Sequence, residues 1–193
     1  MKKGQITTLF YMCLFPIHLW SMVVVFNHIE SVIYRGTNVF DGIGYASYAL
    51  LLALFESAVL CLFLLLLGYL LPKRWPAETR LVQLTLVGWV MLGWAAGGQF
   101  YQYWFSSWQK AFIDHVFLWL SYRRIFNPIL LVVIFLLLMV SVLIPLWLPL
   151  RWPRFGSWVA SLMDKLSILS IFYLVLDFLA LLIVIFRNLW VLV

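Results

Sequence analysis

Across residues 45–71 the chain carries one charged side chain, Glu56, in an otherwise apolar run. About 18 consecutive apolar residues suffice to cross the hydrocarbon core of a bilayer. No water is present there to satisfy backbone N–H and C=O groups, so such a run must satisfy them internally, as a helix does. Comparable runs occupy residues 6–26, 81–101, 125–148 and 158–186. The composition agrees: 66% of the residues are hydrophobic and only 10% are charged, against about 25% charged in a typical soluble domain. The chain therefore reads as an all-α integral membrane protein, one polytopic domain over residues 1–193, with little left over for a soluble domain. The apolar run after Met1-Lys2-Lys3 is longer than the core of a usual signal peptide and reads as a retained first helix.

One hexapeptide recurs between these runs. Leu71-Pro72-Lys73-Arg74-Trp75-Pro76 returns as Leu148-Pro149-Leu150-Arg151-Trp152-Pro153, 77 residues later and with one change. Proline stops a helix, arginine meets lipid phosphate, and tryptophan settles at headgroup depth. Arg74, Trp75, Arg151 and Trp152 are thus the expected interfacial anchors. The repeat has two readings: convergence on good interfacial chemistry, or duplication of a helical hairpin, with helices 2–3 and 4–5 as related units. Both readings put the two turns on the same side of the membrane, which requires an even number of crossings between them.

That requirement bears on residues 106–122. Ser107, Lys110, Asp114 and Ser121 fall at helical spacings on one face, and Trp108, Phe112, Ile113, Phe117, Trp119 and Leu120 make up most of the remainder. The pattern is that of a helix lying in the interface plane rather than crossing it. The expected architecture is five transmembrane helices plus one interfacial amphipathic helix on the outer side, near Arg123 and Arg124. With the N-terminus cytoplasmic, eight basic residues fall inside and five outside, the bias expected for a protein oriented N-in and C-out. The start and the lack of a transit pattern favour a bacterial cytoplasmic membrane. A net charge of +6 without any dense basic run points to lipid headgroups and excludes nucleic acid as a natural partner.

Candidate functional residues are the ionisable groups inside the spans, which are costly there and mark function by default. His18, Glu56 and Asp177 lie at similar depth, on three different helices, roughly 13–15 Å from the outer helix ends at about 1.5 Å per residue. Ser170, Tyr173 and Asp177 share one face of the last helix. The expectation is one polar cluster, His18, Glu56, Asp177, Tyr173 and Ser170, in the bundle interior. Its functional version is proton or ion conduction; its plainer version is a structural bond between helices. Gly93 and Gly97, a small-xxx-small pair, are expected to let another helix approach closely, which would make the third helix the most enclosed.

His18, His28 and His115 are candidate axial ligands for a tetrapyrrole such as haem or chlorophyll, which abundant aromatics would pack. Cys13 and Cys61 lie inside apolar helices and read as packing residues, and their spacing offers no metal site. No metalloprotease, phosphate-loop or nucleophile-elbow motif occurs. The leading functional expectation is a non-catalytic subunit of a larger membrane complex, with lipids and other subunits as partners. The alternatives are a small transporter or proton-conducting subunit, and a membrane domain partnering an envelope or lipid-modifying enzyme.

Overall fold

The computed structural model describes residues 3–33, 39–72, 74–104 and 126–191. Five helices make up nearly all of them, with no strand among the described residues: α1 (Lys3–Ile33), α2 (Val39–Leu70), α3 (Ala77–Trp104), α4 (Phe126–Arg151) and α5 (Pro153–Val191). All five are long and apolar enough to span a membrane. The interfacial helix expected over residues 106–122, and with it His115, Arg123 and Arg124, lies outside the described residues.

The helices are longer than the apolar runs that nucleate them. Residues 27–44, the polar stretch between the first two apolar runs, are mostly helical, because α1 runs on to Ile33 and α2 begins at Val39. Asn27 and His28 bond back to the Val23 and Val24 carbonyls, at 2.7 and 2.9 Å, so their polarity is absorbed within the helix. α5 likewise continues through Arg187 and Asn188. The Arg187 guanidinium pairs with Asp41 at 2.8 Å and donates to the Phe40 carbonyl at 3.2 Å, while Tyr48 donates to Asn188 at 3.2 Å. These bonds tie the C-terminal end of α5 to the start of α2. Gly44 permits this, since the guanidinium occupies the space a Cβ would need.

Helix directions follow from the pairings. Tyr11 meets Ser170 and His18 meets Asp177, both with a separation of 159, so α1 and α5 run parallel and in register over two turns. Gln83 bonds the Leu146 carbonyl and Trp94 bonds Ser141, so α3 and α4 run antiparallel. The two hexapeptide turns therefore lie at the same end of the bundle, and Trp75 faces the α4 residues Leu146, Trp147 and Leu150.

The two copies are not alike in form. The first unwinds the chain between α2 and α3, with a Trp75 N–H to Pro72 carbonyl turn of 3.1 Å. In the second, α4 passes straight through Pro149 to Arg151, and α5 begins at Pro153 with only Trp152 between them. Proline thus ends the helix in the first copy but not in the second, where the Trp152 N–H still reaches the Leu148 carbonyl at 2.9 Å. The shared hexapeptide is not one repeated structural unit.

α1 is the hub. It packs against α2, α3 and α5. Leu9 and Cys13 join Cys61, Leu64, Leu84 and Val87 in one apolar cluster, and Met12 joins Val82, Val159 and Met163 in another. Cys13 and Cys61 are both buried and free, as expected of packing residues. Gly88 admits Leu64 into the first cluster, since a Cβ there would sit 2.8 Å from a Leu64 methyl. Gly93 and Gly97 are both exposed, and among the described residues nothing lies within 4 Å of a Cβ built on either, so no described helix makes the close approach expected at them. The most enclosed helix is α1 rather than α3.

The hub depends on Pro16. Having no N–H, it leaves the carbonyl four residues earlier, that of Met12, without its donor in the helix. The Trp89 indole N–H of α3 fills that vacancy at 3.1 Å. Trp89→Phe should therefore cost about 1–3 kcal/mol, the range for stranding a buried acceptor. In a Pro16→Ala background the alanine N–H satisfies Met12, and the same change should cost only a small fraction of that. Unfolding free energies of the four proteins in mixed micelles give the coupling directly; equal costs in the two backgrounds would refute the assignment.

Candidate functional site

Of the residues expected to cluster, the structure brings four together on the α1–α5 seam. His18 is 0% exposed and Asp177 3%. The His18 Nδ1 lies 2.9 Å from the Leu14 carbonyl and its Nε2 2.9 Å from Asp177 Oδ1. The Tyr173 ring lies tilted against the imidazole, centroids 5.2 Å apart, with Phe15 beyond it at 6.1 Å. One spacing of seven down α5, the Ser170 hydroxyl donates to the Tyr11 carbonyl at 2.8 Å. The periodicity of α5 places these groups: Ser170, Tyr173 and Asp177 recur at 3 and 4 residues and so share the face turned to α1.

The geometry fixes the proton count of the pair. A carbonyl only accepts, so Nδ1 carries a proton and donates to Leu14. One further proton lies in the contact between Nε2 and Oδ1, on either atom. The pair is then imidazolium with carboxylate, or imidazole with carboxylic acid, and is neutral as a whole in both forms. Asp177 Oδ2 has no hydrogen-bond partner among the described residues. His18 has both ring nitrogens committed, so it cannot ligate a tetrapyrrole metal without breaking a bond to Leu14 or Asp177. His28 has its Nδ1 on the Val24 carbonyl. The described residues contain no group of three or more His, Cys, Asp or Glu side chains able to hold a metal ion.

Glu56 is the correction to the expected cluster. The buried stripe of α2 is Leu50, Ala53, Ser57, Cys61 and Leu64, spaced by 3 and 4. Glu56 precedes Ser57 by one residue, roughly 100° around the helix, and its side chain is exposed. It shares depth with His18 and Asp177 but not a face. It opens instead on a lateral cleft of about 390 Å³ between α1, α2 and α3, whose walls include Trp20, Ser21, Gly93, Ala96 and Gln99. The Trp20 indole donates to the Gln99 side chain across this cleft. Among the described residues Glu56 has no hydrogen-bond or ion-pair partner.

The anchors divide as well. Arg74, Arg151 and Trp152 are exposed and Trp75 is half-buried, all at the bundle end that carries the hexapeptides. Two interhelical donors, the buried Gln83 and the half-buried Trp89, were not singled out from the sequence. Gln83 is 0% exposed and gives its amide to the Leu146 carbonyl, between Pro145 and Pro149. Trp89 serves Met12. Trp89 meets the carbonyl that Pro16 leaves without a donor, so that proline was its signal; the Leu146 carbonyl is not one that Pro145 or Pro149 strands, and the sequence held no comparable signal for Gln83.

Comparison with protein-family models, with characterised proteins and with solved structures finds no match to this chain.

The dyad can be tested by its hydrogen-bonding capacity. In Asp177→Asn the amide N–H can donate to Nε2 of a neutral His18, keeping the bond. Asp177→Ala leaves that nitrogen buried and unpartnered. Alanine should destabilise by about 1–3 kcal/mol and asparagine by clearly less. Equal losses, measured as thermal midpoints of the detergent-solubilised protein, would mean that a full ionic pair is required.

Proposed function

We propose that this chain is a non-catalytic integral membrane subunit of a larger assembly, in a bacterial cytoplasmic membrane with its N-terminus inside. The observation that carries the reading is the open outer half of the α3–α4 pair. Every residue from Val132 to Val140 is exposed, on all faces of α4. On α3 the side chains from Gly93 to Phe100 are exposed apart from the half-buried Ala96. The inner halves of the same two helices pack closely, through Gln83 and Leu146 and through Leu84 and Val87. A small-residue surface gives close helix–helix contact in lipid, where there is no hydrophobic drive between helices and tight packing does the work. Gly93 and Gly97 present such a surface with no described residue against it.

The polar groups support a structural role over a conducting one. His18 has both ring nitrogens bonded, to Leu14 and Asp177, and Glu56 lies apart from it. The exposed Arg74, Arg151 and Trp152 of the two hexapeptides suit anionic headgroups, which attract basic residues at the cytoplasmic face. The segment 106–122 would add an interfacial helix at the opposite end.

Purification from native membranes in mild detergent, with mass spectrometry and an absorption spectrum of the eluate, tests the reading. The expected result is one or more membrane proteins co-eluting at fixed stoichiometry. A lone, colourless, fully stable protein would overturn it, and pH-dependent flux in proteoliposomes would then favour transport.

A further inference from the structure

Glu56 sits near the middle of α2, two residues past the midpoint of a 32-residue helix. Its carboxyl group opens sideways into the α1–α2–α3 cleft. An ionisable side chain at the centre of a bilayer is costly unless it is paired or neutralised. The His18–Asp177 pair shows how this chain meets that cost when both partners are its own. Glu56 has no such partner among the described residues.

We propose that the cleft is the docking site for a transmembrane helix of another subunit, one that carries a basic side chain at mid-span to pair with Glu56. The proposal rests on the subunit reading above and specifies the partner's chemistry. Charge complementarity selects a cation, since the ionisable group in the cleft is a carboxyl and the neighbouring Trp20–Gln99 bond is already closed. Shape selects a helix. Along α3 the lining runs from Trp89 to Gln99, about 15 Å at 1.5 Å per residue. The cleft is therefore elongated along the helix axes. Its volume of about 390 Å³ holds a few side chains but not a helix, so the partner lies across the mouth and inserts one face. Gly93 and Ala96 line the cleft, and among the described residues no atom lies within 4 Å of a Cβ built on Gly93, so the partner's backbone can come close.

The test uses the full chain in proteoliposomes with three synthetic transmembrane peptides: a polyleucine helix, the same helix with one central lysine, and the same helix with one central glutamate. Association is read by fluorescence energy transfer. The lysine peptide should bind about tenfold more tightly than the polyleucine one, and the glutamate peptide no better than polyleucine. Glu56→Gln should erase the lysine preference. Gly93→Leu, which fills the mouth and leaves the carboxyl in place, should weaken the lysine peptide as well. Equal binding of the lysine and leucine peptides overturns the proposal. So does saturable binding of a small hydrophobic cation, such as tetraphenylphosphonium, with no lysine preference, which would make the cleft a small-molecule site. Glu56→Gln in native membranes separates this inference from the subunit reading. If partners co-elute with the wild type and remain undiminished with Glu56→Gln, the cleft assignment fails and the subunit reading stands. If none co-elute with the wild type, the subunit reading fails.

Discussion

A missing N–H organises this bundle. Pro16 cannot donate to the Met12 carbonyl, and a stranded carbonyl in hydrocarbon is costly. The vacancy leaves the Met12 carbonyl open to a neighbour, and other polar bonds gather beside it. Trp89 of α3 takes the Met12 carbonyl, and Ser170 of α5 takes that of Tyr11, one residue away. Two residues beyond the proline, His18 reaches Asp177 of α5. Three of the interhelical polar bonds thus fall within residues 11–18 of one helix. Apolar side chains alone would not select this arrangement, since lipid is as good a neighbour as leucine. Directional bonds to one stretch of α1 fix both rotation and register, and the parallel α1–α5 seam with its constant offset follows from them.

A second bond of this kind lies beside prolines at the other end of the sequence, though not on a carbonyl they strand. Pro145 and Pro149 lie four apart, on one face of α4, and between them the Leu146 carbonyl receives the Gln83 amide. The residue four on from Leu146 is Leu150, which keeps its N–H, so Gln83 adds a bond rather than replacing one that a proline removes. α4 nevertheless continues through Pro149 to Arg151, whereas at the first copy the chain unwinds between α2 and α3.

This is also where reading the sequence reached its limit. The five spans were legible because length and hydropathy are properties of one helix at a time. So was the Ser170–Tyr173–Asp177 face, because helical period is local. The meeting of His18 with Asp177 followed from shared depth and from the scarcity of polar groups in the spans. Glu56 had the same depth and was misplaced, because depth does not fix rotation. Rotation is set by what packs best, and in α2 that is the stripe through Ala53, Ser57, Cys61 and Leu64. Gly93 and Gly97 carried a packing signal whose partner is not among the described residues. The polar stretch between α1 and α2 looked like a loop because its residues are hydrophilic, yet Asn27, His28, Asp41 and Arg187 find bonds that keep both helices going.

Two carboxyl groups at one depth have met opposite fates, and the difference bears on function. Asp177 faces α1, where an imidazole fixed by Leu14 receives it, and the pair is neutral as a whole. A neutral, enclosed pair has little to gain from any outside molecule. Glu56 faces the cleft, and the stabilisation that His18 gives Asp177 is there left to be supplied from outside the described chain. An unmet interaction in hydrocarbon is worth most to whatever completes it, because water cannot compete. If conduction were the role, a continuous path of exchangeable groups would be needed, and the buried stripe of α2 turns Glu56 away from the dyad instead. Separation of the two carboxyls leaves one closed bond that holds the bundle together and one carboxyl whose partner is not among the described residues.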